Sequence, residues 1–235
     1  MCGRYALDAP RSQLSRRFAL DECVDLAARY NIAPASEVAV IRQSPGGQRV
    51  LHLLRWGLVP HWAKDPAIAA RLINARGESL AEKPAFRTAF GKRRCLIPAS
   101  GFYEWKKVTA AAGPARKQPY YSSLSCGEVM AFGGLWEAWT APGGEVMRSC
   151  CIVTTAANNK LQAIHARMPL ILACEHWQDW LSAPVEQAQT LIRPCPDDDL
   201  QIWPVSPRVG RASEDDPALL TALPNGHDTK EQPKS

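Results

Sequence analysis

Cysteine is the second residue of the chain, in Met1-Cys2-Gly3-Arg4. A small second residue is what methionine aminopeptidases tolerate. Loss of Met1 is therefore expected, and it leaves Cys2 with a free α-amine beside its thiol. Reference pKa values of about 7.7–8.0 for the amine and about 8.5 for the thiol keep both partly deprotonated near neutral pH. Such a 1,2-aminothiol condenses with an aldehyde through nitrogen, then closes through sulfur to a five-membered thiazolidine. The plain alternative is a cysteine that only fills core space.

Three further segments place polar groups in apolar settings. In Leu72-Ile73-Asn74-Ala75-Arg76-Gly77-Glu78-Ser79, Asn74 offers an amide to orient a reacting group, and Arg76 offers a fork of donors to a phosphate. The same residues could instead be a helix N-cap and an Arg76–Glu78 surface pair. In Ile97-Pro98-Ala99-Ser100-Gly101-Phe102-Tyr103-Glu104-Trp105, a carboxylate lies between aromatics. Burial would raise its pKa and suit it to proton transfer, whereas an edge strand would turn it to water. His165, in Ile164-His165-Ala166-Arg167-Met168-Pro169, is a general acid/base candidate if it meets Cys2 and Glu104, and a structural histidine otherwise. The runs Tyr30-Asn31-Ile32-Ala33-Pro34 and Arg55-Trp56-Gly57-Leu58-Val59-Pro60-His61-Trp62 mix aromatic with polar and basic residues, a pattern that stacks bases and holds phosphates. Trp56 reads as core, Trp62 less so.

These groups need a fold to bring them together. The chain has 235 residues, 46% of them hydrophobic, which suits one domain with a sizeable core and excludes a disordered chain. No apolar stretch approaches the roughly 20 residues that span a bilayer, and the first residues lack a signal-peptide core, so a cytoplasmic location is expected. The eight cysteines form no CxxC pair and no zinc-finger spacing; reduced thiols are expected, seven of them as core fillers, with no metal. The net charge of +5 is uneven. Residues 1–120 carry 20 basic and 9 acidic side chains, and residues 121–235 carry 8 and 14. A basic half of this kind can draw in a polyanion.

Periodicity predicts an extended arm over 1–7, a helix from Pro10 to about Leu20, and a hairpin of strands 38–43 and 48–56 around Ser44-Pro45-Gly46-Gly47. Residues 74–82 suit a short helix or turn. Strands are expected at 93–98, 101–106, 119–124, 129–136, 147–155, 169–172 and 200–205, and helices at 175–182 and 184–192. This pattern implies an α+β single domain around a curved, mainly antiparallel sheet or open barrel flanked by short helices. The domain is expected to span 2–211, with an exposed loop at 109–117 and a flexible acidic tail at 212–235.

Taken in order, MCGRY, YNIAP, RWGLVPHWA, INARGES, PAF, RRCLIPASGFYEW, VTTAAN and HARMP resemble the motifs of the SRAP family, the SOS response-associated peptidase-like proteins, over roughly residues 2–205. The resemblance implies a protein that shields abasic sites in single-stranded DNA, at forks or single-/double-strand junctions, through a thiazolidine crosslink. In that reading Cys2 is the nucleophile and Asn74 positions its backbone and amine. Glu104 shuttles protons, and His165 assists sugar-ring opening and crosslink reversal. Arg76 would contact a phosphate, and Arg4, Asn31, Pro34, Trp62, Arg87, Trp105, Thr154 and Thr155 would line the DNA channel. No cofactor is implied. A cysteine peptidase using Cys2 and His165, including removal of Met1, is the competing reading. A noncovalent single-stranded DNA binder is a third. A Schiff base at the sugar also permits a weak strand-cleaving lyase activity.

Overall fold

The computed structural model describes residues 2–108 and 116–224. Its strands, in chain order, are β1 (Tyr5–Leu7), β2 (Arg29–Ile32), β3 (Glu37–Gln43), β4 (Arg49–Trp56), β5 (Asn74–Arg76), β6 (Arg94–Ala99), β7 (Gly101–Val108), β8 (Arg116–Leu124), β9 (Met130–Thr140), β10 (Val146–Ala156), β11 (Arg167–Pro169), β12 (Ile171–Leu172) and β13 (Leu200–Pro204). The helices are α1 (Arg11–Phe18), α2 (Arg87–Lys92), α3 (Asn159–Gln162), α4 (Trp177–Ser182) and α5 (Val185–Thr190).

Two sheets result. One runs β13-β8-β7-β1-β2 and is antiparallel throughout. The other runs β11-β10-β4-β3-β6-β9-β12, and β9 pairs back onto β10, which closes β10-β4-β3-β6-β9 into a five-stranded ring. Within it only β4 and β5 run parallel to β10. Closure removes free edges that would otherwise template aggregation. The architecture is the α+β, mainly antiparallel one expected, with the barrel closed rather than open.

The two sheets meet through large side chains. Tyr5 from β1 packs edge-on against Trp56 (5.4 Å between ring centroids) and Phe132 (5.9 Å), and Phe102 from β7 packs against Phe132 (6.0 Å). The chain crosses between sheets at Ser100, whose amide donates to the Ala6 carbonyl at 2.7 Å. All six residues of β6 are buried, as a continuous apolar run predicts for a strand covered on both faces. The hairpin turn at Ser44–Gly47 sits where expected, with Gly47 at φ 84°, a conformation open to glycine at no steric cost. All eight cysteines are free thiols. Cys126 and Cys174 are exposed, so the expectation that seven fill the core holds for five.

Three expectations are corrected. Of the short helix or turn expected over 74–82, a turn forms from Gly77, but Asn74–Arg76 pair with β10 as a strand, because ladder hydrogen bonds outweigh weak local propensity. Strand β2 and helix α2 carried no clear periodic signal and were not anticipated. Residues 212–224, expected in a frayed tail, fold back. The Asp215 carboxylate accepts from the amides of Tyr30 (2.5 Å) and Asn31 (3.0 Å), Trp203 donates to the Leu220 carbonyl (2.8 Å), and Leu219 is fully buried. Most of the loop expected at 109–117, and the tail beyond 224, lie outside the described residues. Among the described residues no helix is long and apolar enough to cross a membrane.

Gly101 sits where β7 begins and where a side chain has no room. A Cβ there would lie 2.4 Å from the Tyr121 ring and 2.5 Å from the Ser122 carbonyl oxygen, and the latter is backbone that cannot swing away. Gly101→Ala is expected to lower stability by about 1–3 kcal/mol, read as a shift of the urea midpoint. An unchanged midpoint would contradict this packing.

Candidate active site

The start of the chain and Glu104 are brought together by one sheet. Tyr5 pairs with Phe102 and Ala6 with Gly101, and the Tyr103 amide donates to the Arg4 carbonyl at 3.0 Å. Extending this antiparallel register sets Glu104 opposite Gly3, next to Cys2. Asn74 and His165 come from the barrel side. Asn74 opens β5, opposite Ile152 of β10. His165 lies in the turn between α3 and β11, its amide donating to the Leu161 carbonyl at 3.0 Å. The site therefore forms at the seam between sheet and barrel.

One hydrogen bond spans that seam: Asn74 Nδ2 donates to the Cys2 carbonyl at 2.8 Å. The side chain thus holds the start of the chain instead of capping a helix. Asn74 Oδ1 is buried and has no hydrogen-bond partner among the described residues, which leaves an acceptor for an incoming N–H. Cys2 is fully buried. Burial, reinforced by the charge of Glu104, pushes its thiol well above the ordinary range.

Glu104 is only 3% exposed on a strand with neighbours on both sides, not on an edge. Burial raises its pKa, opposed by nearby positive charge that includes His165 and by the Trp105 amide. Glu104 is thus within electrostatic reach of both Cys2 and His165. His165 Nδ1 lies 3.0 Å from the Arg167 amide nitrogen and 3.1 Å from the Arg167 carbonyl oxygen. The amide can donate only to a bare Nδ1, and the carbonyl can accept only from a protonated one. The backbone therefore provides a partner for either protonation state, as a group that both gives and takes protons requires.

Arg167 was not singled out from the sequence, and Glu78 only as a surface partner for Arg76. The Arg167 guanidinium grips Glu78 with both arms (2.5 and 2.9 Å) and also donates to the Thr154 carbonyl (2.7 Å) and hydroxyl (3.2 Å). This holds the loop that carries His165 against β10. The bidentate pair keeps the Glu78 carboxyl below its ordinary range. Glu78 thus pairs with Arg167, not with Arg76. Arg76 is exposed, and its guanidinium has no hydrogen bond or ion pair among the described residues. The motif containing His165 held Arg167 all along; the signal missed was its long-range partner.

The residues expected to line a DNA channel divide sharply. Trp62 is 49% exposed and tethered only by its indole N–H to the Pro84 carbonyl (3.3 Å), and Arg87 is exposed at the start of α2. Pro34 and Trp105 are half-buried. Arg4 and Asn31 are committed inward: Arg4 donates to Asn31 Oδ1 (2.8 Å) and to the Val209 carbonyl (2.9 Å), and Asn31 Nδ2 donates to the carbonyls of Arg211 (2.9 Å) and Glu214 (2.7 Å). They bind the C-terminal segment and leave little for a ligand. Thr154 and Thr155 are buried in β10. No cluster of metal-ligating side chains occurs among the described residues.

Comparison with known proteins identifies the family. The family model described as SOS response associated peptidase (SRAP) matches residues 1–212. Abasic site processing protein YoqW of Bacillus subtilis is 37% identical over 226 residues, covering 94% of this chain and 99% of that protein. Abasic site processing protein HMCES of Mus musculus is 30% identical over 286 residues, covering all of this chain and 79% of that protein. A crystal structure of a Bacteroides thetaiotaomicron protein superposes with a TM-score of 0.83 at 23% identity, covering 94% of this chain and all of that one, which speaks to the fold alone. With its seam-bound Cys2 and a family match running through nearly the whole of the described chain, this protein belongs to the SRAP family.

Proposed function

We propose that this chain processes abasic sites in single-stranded DNA by forming a thiazolidine between Cys2 and the aldehyde of the open sugar. The observation that carries the reading is Cys2 held by Asn74 through its carbonyl, beside a buried carboxyl that feels the charge of His165. Once Met1 is gone, the Cys2 α-amine attacks C1′ of the aldehyde, and the carbinolamine hydroxyl leaves as water to give a Schiff base. The thiol then adds to the imine carbon, its proton passing to the nitrogen. The sum is one new C–N bond, one new C–S bond and one water lost.

Each step moves a proton, and each has a group to move it. A thiol raised by burial supplies almost no thiolate at neutral pH, so ring closure needs a base at hand. Glu104 is adjacent, and its raised pKa makes its carboxylate a better proton acceptor than a free one, placed to take that proton and to return it. His165, with a partner for either protonation state, suits protonation of the sugar ring oxygen during opening. Exposed Arg76, Arg87 and Trp62 offer phosphate contacts and a stacking face for the strand. A peptidase needs the opposite thiol environment, with its pKa lowered by a neighbouring cation. Burial and a carboxylate neighbour favour the aldehyde chemistry.

Intact-mass measurement of the protein mixed with single-stranded DNA bearing one abasic site is expected to show a product heavier by the oligonucleotide less one water, stable to heating. Cys2→Ala is expected to give none. A correctly processed Cys2 that forms no adduct would overturn the reading, as would an adduct that survives Cys2→Ala.

The raised pKa of Glu104 gives a second expectation. A carboxyl that holds its proton more tightly when folded adds stability below its unfolded pKa, and that stability is lost as pH rises through the raised folded value. Above the ordinary carboxylate range the buried Glu104 is therefore destabilising. Glu104→Gln is expected to raise the urea midpoint at neutral pH while slowing crosslinking about 100-fold. It is also expected to remove the part of the acid limb of the rate profile that Glu104 sets, leaving the limb set by the amine. A lower midpoint with an unchanged rate would show that Glu104 is only structural.

A further inference from the structure

Away from the seam, a cleft of about 690 Å³ opens beside the β3–β4 hairpin. Arg42, His52, Lys92 and Arg94 line it together with Trp136, and no acidic side chain does. Arg148 lies close enough to repel both Arg42 and His52. None of these residues belongs to the Cys2 site.

Arg94 is the unusual member. It is 6% exposed, and its guanidinium donates to the carbonyls of Phe90, Trp180 and Ala183, near the ends of α2 and α4. Its hydrogen bonds are satisfied, but among the described residues no carboxylate balances its charge. The Arg42 guanidinium carbon lies over the Trp136 ring, 4.2 Å from the centroid. The guanidinium has no hydrogen bond or ion pair among the described residues, and its Nε is enclosed without a partner. Glu137, next to Trp136 in the chain, is already taken by Arg93 and His61. Positive charge held in a concave, partly dry wall without a counter-ion creates a field that an anion would relieve. Planar guanidinium donors beside an ammonium match the oxygens of a phosphate.

We propose that this cleft is a phosphate-binding site, with Arg42 and Lys92 as its direct ligands and buried Arg94 as its fixed background charge. The phosphate could be carried by a nucleic-acid strand or by a small free ligand; the recognising chemistry is the same. The site stands independently of the chemistry at Cys2.

Titration calorimetry on the full chain at low salt separates the outcomes, with pyrophosphate and an undamaged short oligothymidylate as probes. Wild type is expected to bind pyrophosphate, and Arg42→Gln/Lys92→Gln to bind it about tenfold more weakly. Lys92 is exposed, so Lys92→Gln alone, expected to lose part of the affinity, reads the site without disturbing the core. If oligothymidylate also weakens in the double variant, with a shallower salt dependence, the strand is the source; if only pyrophosphate weakens, the source is a free phosphate ligand. No binding of pyrophosphate by wild type, or equal binding by wild type and both variants, would overturn the proposal.

Discussion

Asn74 donates to the carbonyl of Cys2 across 2.8 Å, and in doing so joins the start of the chain, in one sheet, to a strand of the other. A hydrogen bond of this kind contributes about 1 kcal/mol net, too little to hold two sheets together. Holding is the work of Tyr5, Phe102, Phe132 and Trp56, whose ring contacts lock the five-stranded sheet onto the barrel. The bond can therefore act purely as a positioning device. With the sheets fixed by their apolar faces, Asn74 chooses where the backbone of residue 2 lies. The register of β1 on β7 then decides which carboxyl stands beside it.

The same seam imposes an electrostatic burden. A carboxyl that is 3% exposed and a fully buried thiol are both pushed toward their neutral forms, and the charge of Glu104 makes ionisation of the thiol harder still. A core built only for stability would not keep such a pair. Its persistence here makes sense if protons must be passed over short distances away from bulk water. Arg167 extends the arrangement outward. By gripping Glu78 and Thr154 it pins the loop whose backbone offers His165 a partner in either protonation state.

Much of this was legible in the residues. Continuous apolar runs marked the buried strands, Ser-Pro-Gly-Gly marked the hairpin, and polar groups embedded in apolar segments marked Asn74, Glu104 and His165. What was not legible depended on partners distant in sequence. Asn74 looked like a helix cap because β5 is a three-residue strand that exists only through β10. Arg76 seemed paired with Glu78 because the true partner, Arg167, is 89 residues from Glu78. Residues 212–224 read as a tail because their polar composition hides the one buried residue, Leu219, and the Asp215 carboxylate that caps the amides of β2. Arg4 and Asn31 carried the right chemistry for DNA, but their donors are occupied by that same returning segment.

The claim at the centre is that both the nitrogen and the sulfur of Cys2 close onto one carbon. Trypsin cuts after Arg4, so the reacted residue falls in the short peptide Cys2–Arg4. After crosslinking to abasic DNA, nuclease trimming and digestion, tandem mass spectrometry with thiol- and amine-directed labels reads the state of each atom. The expected result is the sugar remnant on this peptide, with neither thiol nor α-amine open to labelling. A remnant on a lysine, or on Cys2 with its thiol still free to alkylate, would contradict thiazolidine formation at the seam.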